Sequence, residues 1–417
     1  MSSAPLTSTT PVLAPKFDPT DRFTIEHPYA RYMQLRVAGP VCRAFLPGHL
    51  AVTHHAPVKA LLGDPRLGME FAGEAFGETD SALRSFFHNI VFEQNPPTHK
   101  RLRRFLNSAF SKPFSRQLLE RIDARIENVL APLLERGEFD AVQELAALIP
   151  ALMVGELLGV PEDGLATFHA NAREFHRLAY VELRKFTNVG DARRAENSGR
   201  AEELLRWLRA QCAALIAARR RNPAADLTSQ LAHLSIDSDM LSDAEILDNM
   251  IFLFFAGLDS SCDLISTGFV ALAQHPDQWA LLKSNPALVP GAVEEFLRYD
   301  APIQALARRV LGTIEVAGRT LRPPRVLWLL LGSANHDERV FESPERLLVT
   351  RSPNPHVAFG AGMHSCMSAH FARSAAAMIF RRCVARCSMI ELRAEPIRRH
   401  SVESRSYEQI LLRARLA

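Results

Sequence analysis

The 417-residue chain lacks the features that define several classes of protein. Its formal net charge of +3 at pH 7 is too small to favour binding to nucleic acid or to an anionic membrane. Neither a signal peptide nor an apolar run of about 18 residues is expected ahead of the fold, which predicts a cytoplasmic protein that does not bind membranes. Hydrophobic residues make up 47% and charged residues 23%, as is usual for soluble globular proteins.

The six cysteines show none of the paired spacings of a disulfide framework, which agrees with a reducing compartment. Cys383 and Cys387 lie four residues apart on a predicted helix. No second pair of ligands accompanies them, so we expect them to pack in the core rather than to bind zinc. The other four are Cys42, Cys212, Cys262 and Cys366.

The composition predicts one domain at residues 17–417, preceded by a disordered arm at residues 1–16 that is rich in Pro, Ala, Ser and Thr. Strand-like segments are few, and helical periodicity covers most of the rest. The predicted fold class is therefore mainly α with a small β portion. Strands are predicted at Val41–Leu46 and Ala51–His54, as a hairpin, and at Thr313–Val316 and Val326–Leu331; the clearest helices are Leu118–Leu134, Glu202–Ala218 and Ala244–Leu264.

Cys366 ends a glycine-rich run, Phe-Gly-Ala-Gly-Met-His-Ser-Cys, at residues 359–366. Glycine lets the backbone approach a bulky group closely and adopt conformations that other residues avoid. A cysteine at the end of such a loop, with backbone N–H groups around its sulfur, can exist as a thiolate. A thiolate ligand pushes electron density onto haem iron and favours cleavage of the O–O bond. The alternative is a buried structural cysteine after a glycine-rich turn.

This run resembles the haem-binding signature of the cytochrome P450 monooxygenases, Phe-Gly-x-Gly-x-His-x-Cys-x-Gly. Every fixed position matches except the last glycine, where the chain has Ser368. The resemblance implies the cytochrome P450 fold, with haem b held between a long central helix and the cysteine loop. It also implies Cys366 as the ligand of the iron, and Phe359 and Gly360 as residues that contact the cofactor.

The two propionates of a haem need paired partners where they are partly buried. His99 and Arg103 lie four residues apart, on one face of a helix that is predicted to begin after two prolines. Their segment is similar to the family's Asp-Pro-Pro-x-His-x-x-x-Arg, with Asn95 in place of Asp. The alternative for these two residues is a solvated basic helix face.

Two further residues match positions that the family uses for the propionates. Arg308 precedes Glu315 by seven residues and Gly318 by ten, which is the family spacing Arg-x-x-x-x-x-x-Glu-x-x-Gly, although Arg309 is adjacent. His356 stands three residues before the glycine-rich run, where the family often has another donor. The resemblance implies that these residues complete a cationic ring with the histidine and arginine described above.

Glu295 and Arg298 are spaced to form an ion pair across one turn of a helix, and apolar neighbours predict that the pair is buried. The segment Pro-Glu-Arg at residues 344–346 is similar to the family's Pro-Glu-Arg-Phe. The resemblance implies that Arg346 closes a Glu–Arg–Arg triad that fixes the thiolate loop. This role would be structural.

The segment Ala-Gly-Leu-Asp-Ser-Ser at residues 256–261 lies inside a long apolar helix, although glycine weakens helix interiors. The segment resembles the family's Ala-Gly-x-(Asp/Glu)-Thr-Thr, whose acid and alcohol relay protons to iron-bound oxygen. Asp259 and Ser260 are therefore the expected catalytic residues. Serine keeps the hydroxyl group of the usual threonine but loses the methyl group that restricts its rotamer.

Aromatic and apolar residues beside these motifs are candidates for the substrate wall and favour an apolar or aromatic small molecule. The alternative is that the aromatic residues belong to the core. The candidates are Phe86, Phe87, Phe92, Phe255, Ala256 and Ile303.

The motifs follow one another in the order found in the family, from about Phe17 to the C-terminus. The resemblance implies a monooxygenase that inserts one atom of O₂ into its substrate by hydroxylation or epoxidation. The chain carries no flavin or nicotinamide fingerprint, so ferredoxin and ferredoxin reductase are implied as separate partners. The alternatives are oxidative coupling of a natural-product intermediate, which a carrier could hold, and a haem protein without catalysis.

Overall fold

The computed structural model describes residues 15–71, 81–110, 112–182, 191–399, 401 and 404–417. The predicted disordered arm therefore lies almost wholly outside the described residues. Phe17 is already part of the fold, since its side chain is fully buried and its backbone N–H donates to the carbonyl of Arg43 at 2.9 Å.

Helices dominate the described chain, as the helical period of its apolar residues predicts. In chain order they are α1 (Arg22–Glu26), α2 (Pro28–Ala38), α3 (His55–Leu62), α4 (Ala82–Asn89), α5 (Thr98–Ala109), α6 (Lys112–Arg136), α7 (Leu148–Leu158), α8 (Glu162–Phe175), α9 (Asp191–Arg221), α10 (Leu227–His233), α11 (Asp243–Gln274), α12 (Pro276–Ser284), α13 (Val289–Tyr299), α14 (Leu331–Ala334) and α15 (Ala369–Arg386). Wider π-type turns occur at Val142–Ala146 and His176–Glu182, and 3₁₀ turns at Val91–Glu93, Pro286–Leu288 and Gly362–His364.

The strands are short. They are β1 (Val41–Arg43), β2 (His49–Val52), β3 (Leu67–Gly68), β4 (Glu138–Asp140), β5 (Ala305–Val310), β6 (Ile314–Val316), β7 (Arg319–Leu321), β8 (Val326–Leu330), β9 (Cys387–Leu392), β10 (Ile397–Arg398), β11 (Tyr407–Gln409) and β12 (Leu411–Leu416). A five-stranded sheet has the order β1-β2-β8-β5-β3, and a three-stranded sheet has the order β4-β12-β9. Two hairpins, β6-β7 and β10-β11, complete the β portion.

The predicted first hairpin is confirmed, since β1 and β2 pair antiparallel with Val41 opposite Val52. The predicted second β patch forms strands β6 and β8, but these join different sheets: β6 pairs with β7, and β8 pairs with β2 and β5. The three predicted helices lie within α6, α9 and α11.

Helix α11 is the centre of the main hydrophobic core. It begins at a capping box in which Ser242 and Glu245 each bond the other's backbone N–H. Its most apolar window is long enough to span a membrane, but 67% of that window is buried inside the protein, as in core helices of soluble proteins. At Gly268 an added Cβ would lie 2.6 Å from the ring of Phe380, so the glycine allows α15 to pack closely against α11.

Candidate active site

The loop before α15 presents Cys366 to solvent. Gly360 and Gly362 have φ values of +69° and +70°, a conformation that favours glycine. The backbone N–H of Cys366 donates to the carbonyl of Phe359 at 2.9 Å, which closes the loop. A Cβ on Gly362 would lie 2.4 Å from the Cα of Gly63, so this glycine also lets the loop pack against the end of α3. The sulfur is exposed and lies 3.6 Å from the Ser368 hydroxyl, which replaces the family's glycine.

Glu295 on α13 fixes the segment that leads into this loop. Its carboxylate accepts two hydrogen bonds of 2.8 Å from Arg298, and both side chains are completely buried. The Nε of Arg351 lies 3.1 and 3.2 Å from the two carboxylate oxygens. The amide of Asn354 and the backbone N–H of Leu348 donate to the same carboxylate.

The prediction that Arg346 closes this triad is wrong. The side chain of Arg346 is exposed, and only its backbone carbonyl takes part, as acceptor for Arg298 at 3.0 Å. Arg351 reaches the carboxylate because its stem lies in the buried part of the segment, with its side chain only 7% exposed. Both arginines lie within the same short stretch, and the residue spacing does not show which side chain points inward.

His356 is the predicted propionate residue that the structure does not bring together with the other three. The His356 Nε2 lies 3.0 Å from the Glu294 carboxylate, and its Nδ1 accepts from the backbone N–H of Ala358 at 3.2 Å. Arg373 binds the other side of Glu294 at 2.7 Å and covers the ring of Phe359 at 4.3 Å. His356 therefore helps to brace the loop, and both of its ring nitrogens are used within the protein.

Four basic side chains meet on the other side of the loop. The rings of His99, on α5, and His364 lie 4.2 Å apart. The Nη2 of Arg103 donates to the Ser365 carbonyl at 2.8 Å, and Arg308 is 2% exposed and close enough to His364 to lower its pKa. The structure thus brings together three of the four predicted propionate residues.

Both imidazoles in this cluster are held in the neutral form. Burial lowers the pKa of His99 to about 4, helped by the charge of Arg103. Burial lowers the pKa of His364 to about 3, helped by the other basic groups. Within the described chain, the Nδ1 of His99 and the Nε2 of His364 are buried and have no hydrogen-bond partner. Buried polar atoms of this kind need a partner, and an anionic carboxylate would provide one.

His364 was not among the predicted propionate residues. The signal was present, because the family signature has a fixed histidine two residues before the cysteine. The signature alone does not show that this ring turns toward α5, since that contact depends on how the loop and the helix pack.

The central helix carries the second half of the site. Ala256 is exposed beside the buried Phe255, and the hydroxyl of Ser260 donates to its carbonyl at 3.2 Å. The carboxylate of Asp259 lies 3.2 Å from the Nδ1 of His176 and 3.7 Å from the Nε of Arg173. Burial alone would raise the pKa of Asp259, but the hydrogen bond and charge of His176 and the charge of Arg173 outweigh it, so the pKa is lowered. Asp259 is therefore a carboxylate at neutral pH.

The predicted pocket residues divide into two groups. Phe86 and Phe87 are 0% exposed and pack edge-on at 5.2 Å, so they belong to the core, and their assignment to the pocket is wrong. Phe255 is nearly buried under the ring of His176, at 4.8 Å. Phe92 is partly buried and stacks on Phe252 at 5.7 Å.

Ala256 and Ile303 are pocket candidates that keep some contact with solvent. Ala256 is exposed, and Ile303 is partly buried and forms an isolated bridge to Ser404. The nearby stretch at residues 402–403 lies outside the described residues.

Three features of this site are those of a haem-thiolate protein. An exposed cysteine lies on a braced glycine loop, unpartnered buried imidazoles lie beside two arginines, and the central helix carries an acid–alcohol pair. The chain belongs to the cytochrome P450 family, whose family model matches residues 283–406. It is accordingly a monooxygenase, and its cofactor is haem b, which enzymes of this family hold through a cysteine thiolate.

Relatives of known activity cover most of the chain. The 6-deoxyerythronolide B hydroxylase of Saccharopolyspora erythraea is 32% identical over 371 residues, which are 85% of this chain and 87% of that protein. The steroid C26-monooxygenase of Mycobacterium tuberculosis is 31% identical over 319 residues, which are 73% of this chain and 80% of that protein. The crystal structure of P450BioI in complex with an acyl carrier protein ligated to hexadec-9Z-enoic acid has a TM-score of 0.84 at 28% identity, covering 94% of this chain and 99% of that chain.

The described residues fit the cofactor that the family implies. Cys366 would supply the thiolate, and the unpartnered nitrogens of His99 and His364 would bind the propionates together with Arg103 and Arg308. The fit rests on the buried donors, which the protein alone leaves unsatisfied.

Replacing Arg351 by Ala should lower the free energy of unfolding by about 3 kcal/mol, because the buried Glu295 carboxylate loses one of its two cationic partners. The matched control is Arg346→Ala, which should change it by less than about 0.5 kcal/mol because that side chain is exposed. Urea unfolding of both variants measures the difference. Equal losses in the two variants would show that the assignment of Arg351 is wrong.

Replacing His99 and Arg103 together by Ala should reduce the haem content of the purified protein several-fold more than Lys100→Ala does. The first two face the buried cluster, whereas Lys100 is exposed on the same helix. The ratio of haem absorbance to protein absorbance measures retention, and circular dichroism checks that each variant folds. Equal haem loss in the Lys100 variant would contradict the propionate site.

Proposed function

We propose that this protein hydroxylates or epoxidises an apolar small molecule with one atom of O₂, using Cys366 as the haem ligand and electrons from a ferredoxin system. The observation that carries the proposal is the combination of an exposed Cys366 sulfur with the Asp259–Ser260 pair on α11. Haem bound through a thiolate supplies the electron transfer to O₂ and favours cleavage of the O–O bond.

Asp259 and Ser260 would move protons during this reaction. Asp259 is ionised and tied to His176, so it can accept a proton from outside the helix and pass it on. The Ser260 hydroxyl already points along the helix to the carbonyl of Ala256, which is the exposed residue of this segment. The hydroxyl is therefore placed at the part of α11 that a bound ligand would reach.

Two lines of support favour an apolar substrate, of the natural-product type. Phe92, Phe252 and Phe255 form a connected set of aromatic contacts beside the segment of α11 that leads to Ala256. The relatives described above are named for oxidations of 6-deoxyerythronolide B and of a steroid.

A second candidate is oxidative coupling, or another oxidation without oxygen insertion, of an intermediate that a carrier protein holds. Ser260 in place of the family's threonine is compatible with it, because coupling needs no inserted oxygen. The complex of P450BioI with an acyl carrier protein supports a carrier-bound substrate. Product mass separates the two reactions: insertion adds one oxygen, whereas coupling removes two hydrogens.

A cleft between α6 and α15, next to Cys366, is the surface we assign to the ferredoxin. It has a volume of about 860 Å³ and is lined by Met367, His370 and Arg381, with Phe110 and Arg116 on the opposite side. Arg381 is exposed and makes no ion pair among the described residues. Ferredoxin reductase would act as a separate protein, and the cytoplasm is the compartment in which such a system would operate.

The reduced, CO-bound protein should show the strongly red-shifted Soret band of a thiolate-ligated haem. Cys366→Ser should abolish that band because a serine hydroxyl does not form the thiolate. Cys262→Ser, at a cysteine on α11 that is not in the loop, is the control and should keep it. An unshifted band in the unmodified protein would contradict the ligand assignment.

Ser260→Ala should lower the product formed per electron while ligand binding stays nearly unchanged, because the hydroxyl that relays protons is lost. Ser260→Thr should keep or improve this ratio, since the methyl group restricts the hydroxyl rotamer. Asp259→Asn should slow the overall rate instead. Oxygen consumed, peroxide released and product formed are measured for a ligand that shifts the Soret band. An unchanged ratio in Ser260→Ala would reject the relay role of this serine.

A further inference from the structure

We propose that Asp263, one helical turn beyond Asp259, stores a proton for the oxygen reaction and is refilled through a chain of three serine hydroxyls. This inference rests on the proposed relay role of Asp259. Asp263 does not touch the reacting atoms, so it is a positioning residue for the proton that Asp259 uses.

The chain is continuous in the structure. Asp263 is only 4% exposed. Its carboxyl lies 2.9 Å from the Oγ of Ser406, which is on the segment just before β11. The Oγ of Ser406 lies 3.2 Å from that of Ser404, which in turn lies 3.3 Å from that of Ser401. Ser401 and Ser404 are partly exposed, so the hydroxyl chain leads from a buried carboxyl toward solvent.

The surroundings of Asp263 favour the protonated acid. Burial raises its pKa well above the ordinary value, and the negative charges of Asp259 and Asp300 add to this effect. The hydrogen bond from Ser406 and the charge of Arg399 act in the opposite direction but do not cancel it. Asp259 experiences the reverse balance, so the pKa values of the two carboxyls, which share one helix face, are shifted in opposite directions.

Each step of the transfer is balanced. A protonated Asp263 gives its proton to the Asp259 carboxylate, so that Asp263 becomes the carboxylate and Asp259 becomes the acid. Ser406 then donates its proton to Asp263 and takes one from Ser404, which takes one from Ser401, which takes one from solvent. Every hydroxyl ends as it began, with its hydrogen bond reversed, and one proton has moved inward.

A purely structural role is the competing explanation, because the Ser406 bond also ties α11 to the β10-β11 hairpin. Infrared spectroscopy of the holoenzyme without substrate separates the two roles. The unmodified protein should show the C=O band of a protonated carboxyl at neutral pH, shifted in D₂O, and Asp263→Asn should remove it. Ser266→Ala, a buried serine on the same helix outside the hydroxyl chain, should keep it. If the unmodified protein and Asp263→Asn have the same bands in this region, the proposal is overturned.

A second measurement follows oxidase turnover, in which O₂, two electrons and two protons give H₂O₂. Electrons are supplied photochemically, so neither a substrate nor a protein partner is needed. Asp263→Asn should slow the reaction by about tenfold, less than the loss expected for a general acid at the reacting atom. Ser406→Ala should slow it by about threefold, whereas Ser406→Thr, which keeps the hydroxyl, and Ser266→Ala should stay near the unmodified rate.

Asp259→Asn shows which proposal fails if the rates disagree. A slow Asp259→Asn variant with an unmodified rate in Asp263→Asn overturns the hydroxyl chain and leaves the Asp259 relay intact. Unmodified rates in both variants overturn the relay itself. A slow Ser406→Thr variant would assign the Ser406 effect to packing rather than to its hydroxyl, and would also overturn the chain.

Discussion

The position of the Cys366 loop depends on one buried carboxylate, that of Glu295. All five N–H donors of Arg298 make hydrogen bonds. Two go to the Glu295 carboxylate, and three go to the backbone carbonyls of Asn335, Pro344 and Arg346. A buried ion pair contributes little net stability by itself, since the loss of hydration offsets the attraction. Its effect is to fix where three chain segments meet. One of these segments also holds the chain just before the loop, because the side-chain oxygen of Asn335 accepts a hydrogen bond from the backbone N–H of Val357.

The two sides of the site differ in their electrostatics. On the propionate side, His99 and His364 are neutral and buried, so the positive charge comes from Arg103 and Arg308 while the imidazoles offer N–H donors at little cost in desolvated charge. On the central helix, a carboxylate is kept ionised by a histidine from outside the helix. Hydrogen-bond donors thus converge where the propionates of the cofactor would lie. A carboxylate, that of Asp259, lies where protons would be consumed.

Short-range spacing was sufficient to predict which residues lie together, as for the glycine-rich loop that carries Cys366 and for His99 with Arg103 on one helix. It was insufficient where two similar residues compete for one partner. Arg346 and Arg351 lie five positions apart on an irregular segment, and only the packed structure shows which one reaches Glu295. Phe86 is an aromatic residue of the kind that lines pockets, but it belongs to the core. The sequence does not separate the two cases, because aromatic residues on a core face and on a pocket face follow the same helical period.

Asp259 and Asp263 show why composition alone does not assign chemical roles. They are the same residue type, one turn apart on one helix, yet their pKa values are shifted in opposite directions. Asp259 lies beside His176 and Arg173, whereas the hydrogen-bond partner of the Asp263 carboxyl among the described residues is the hydroxyl of Ser406. Because a second negative charge beside Asp259 would be unfavourable, the charged state of the first carboxyl itself favours the proton on the second. A pair with separated pKa values can therefore hold one charge and one proton at the same pH, which is the arrangement that proton transfer along a helix requires.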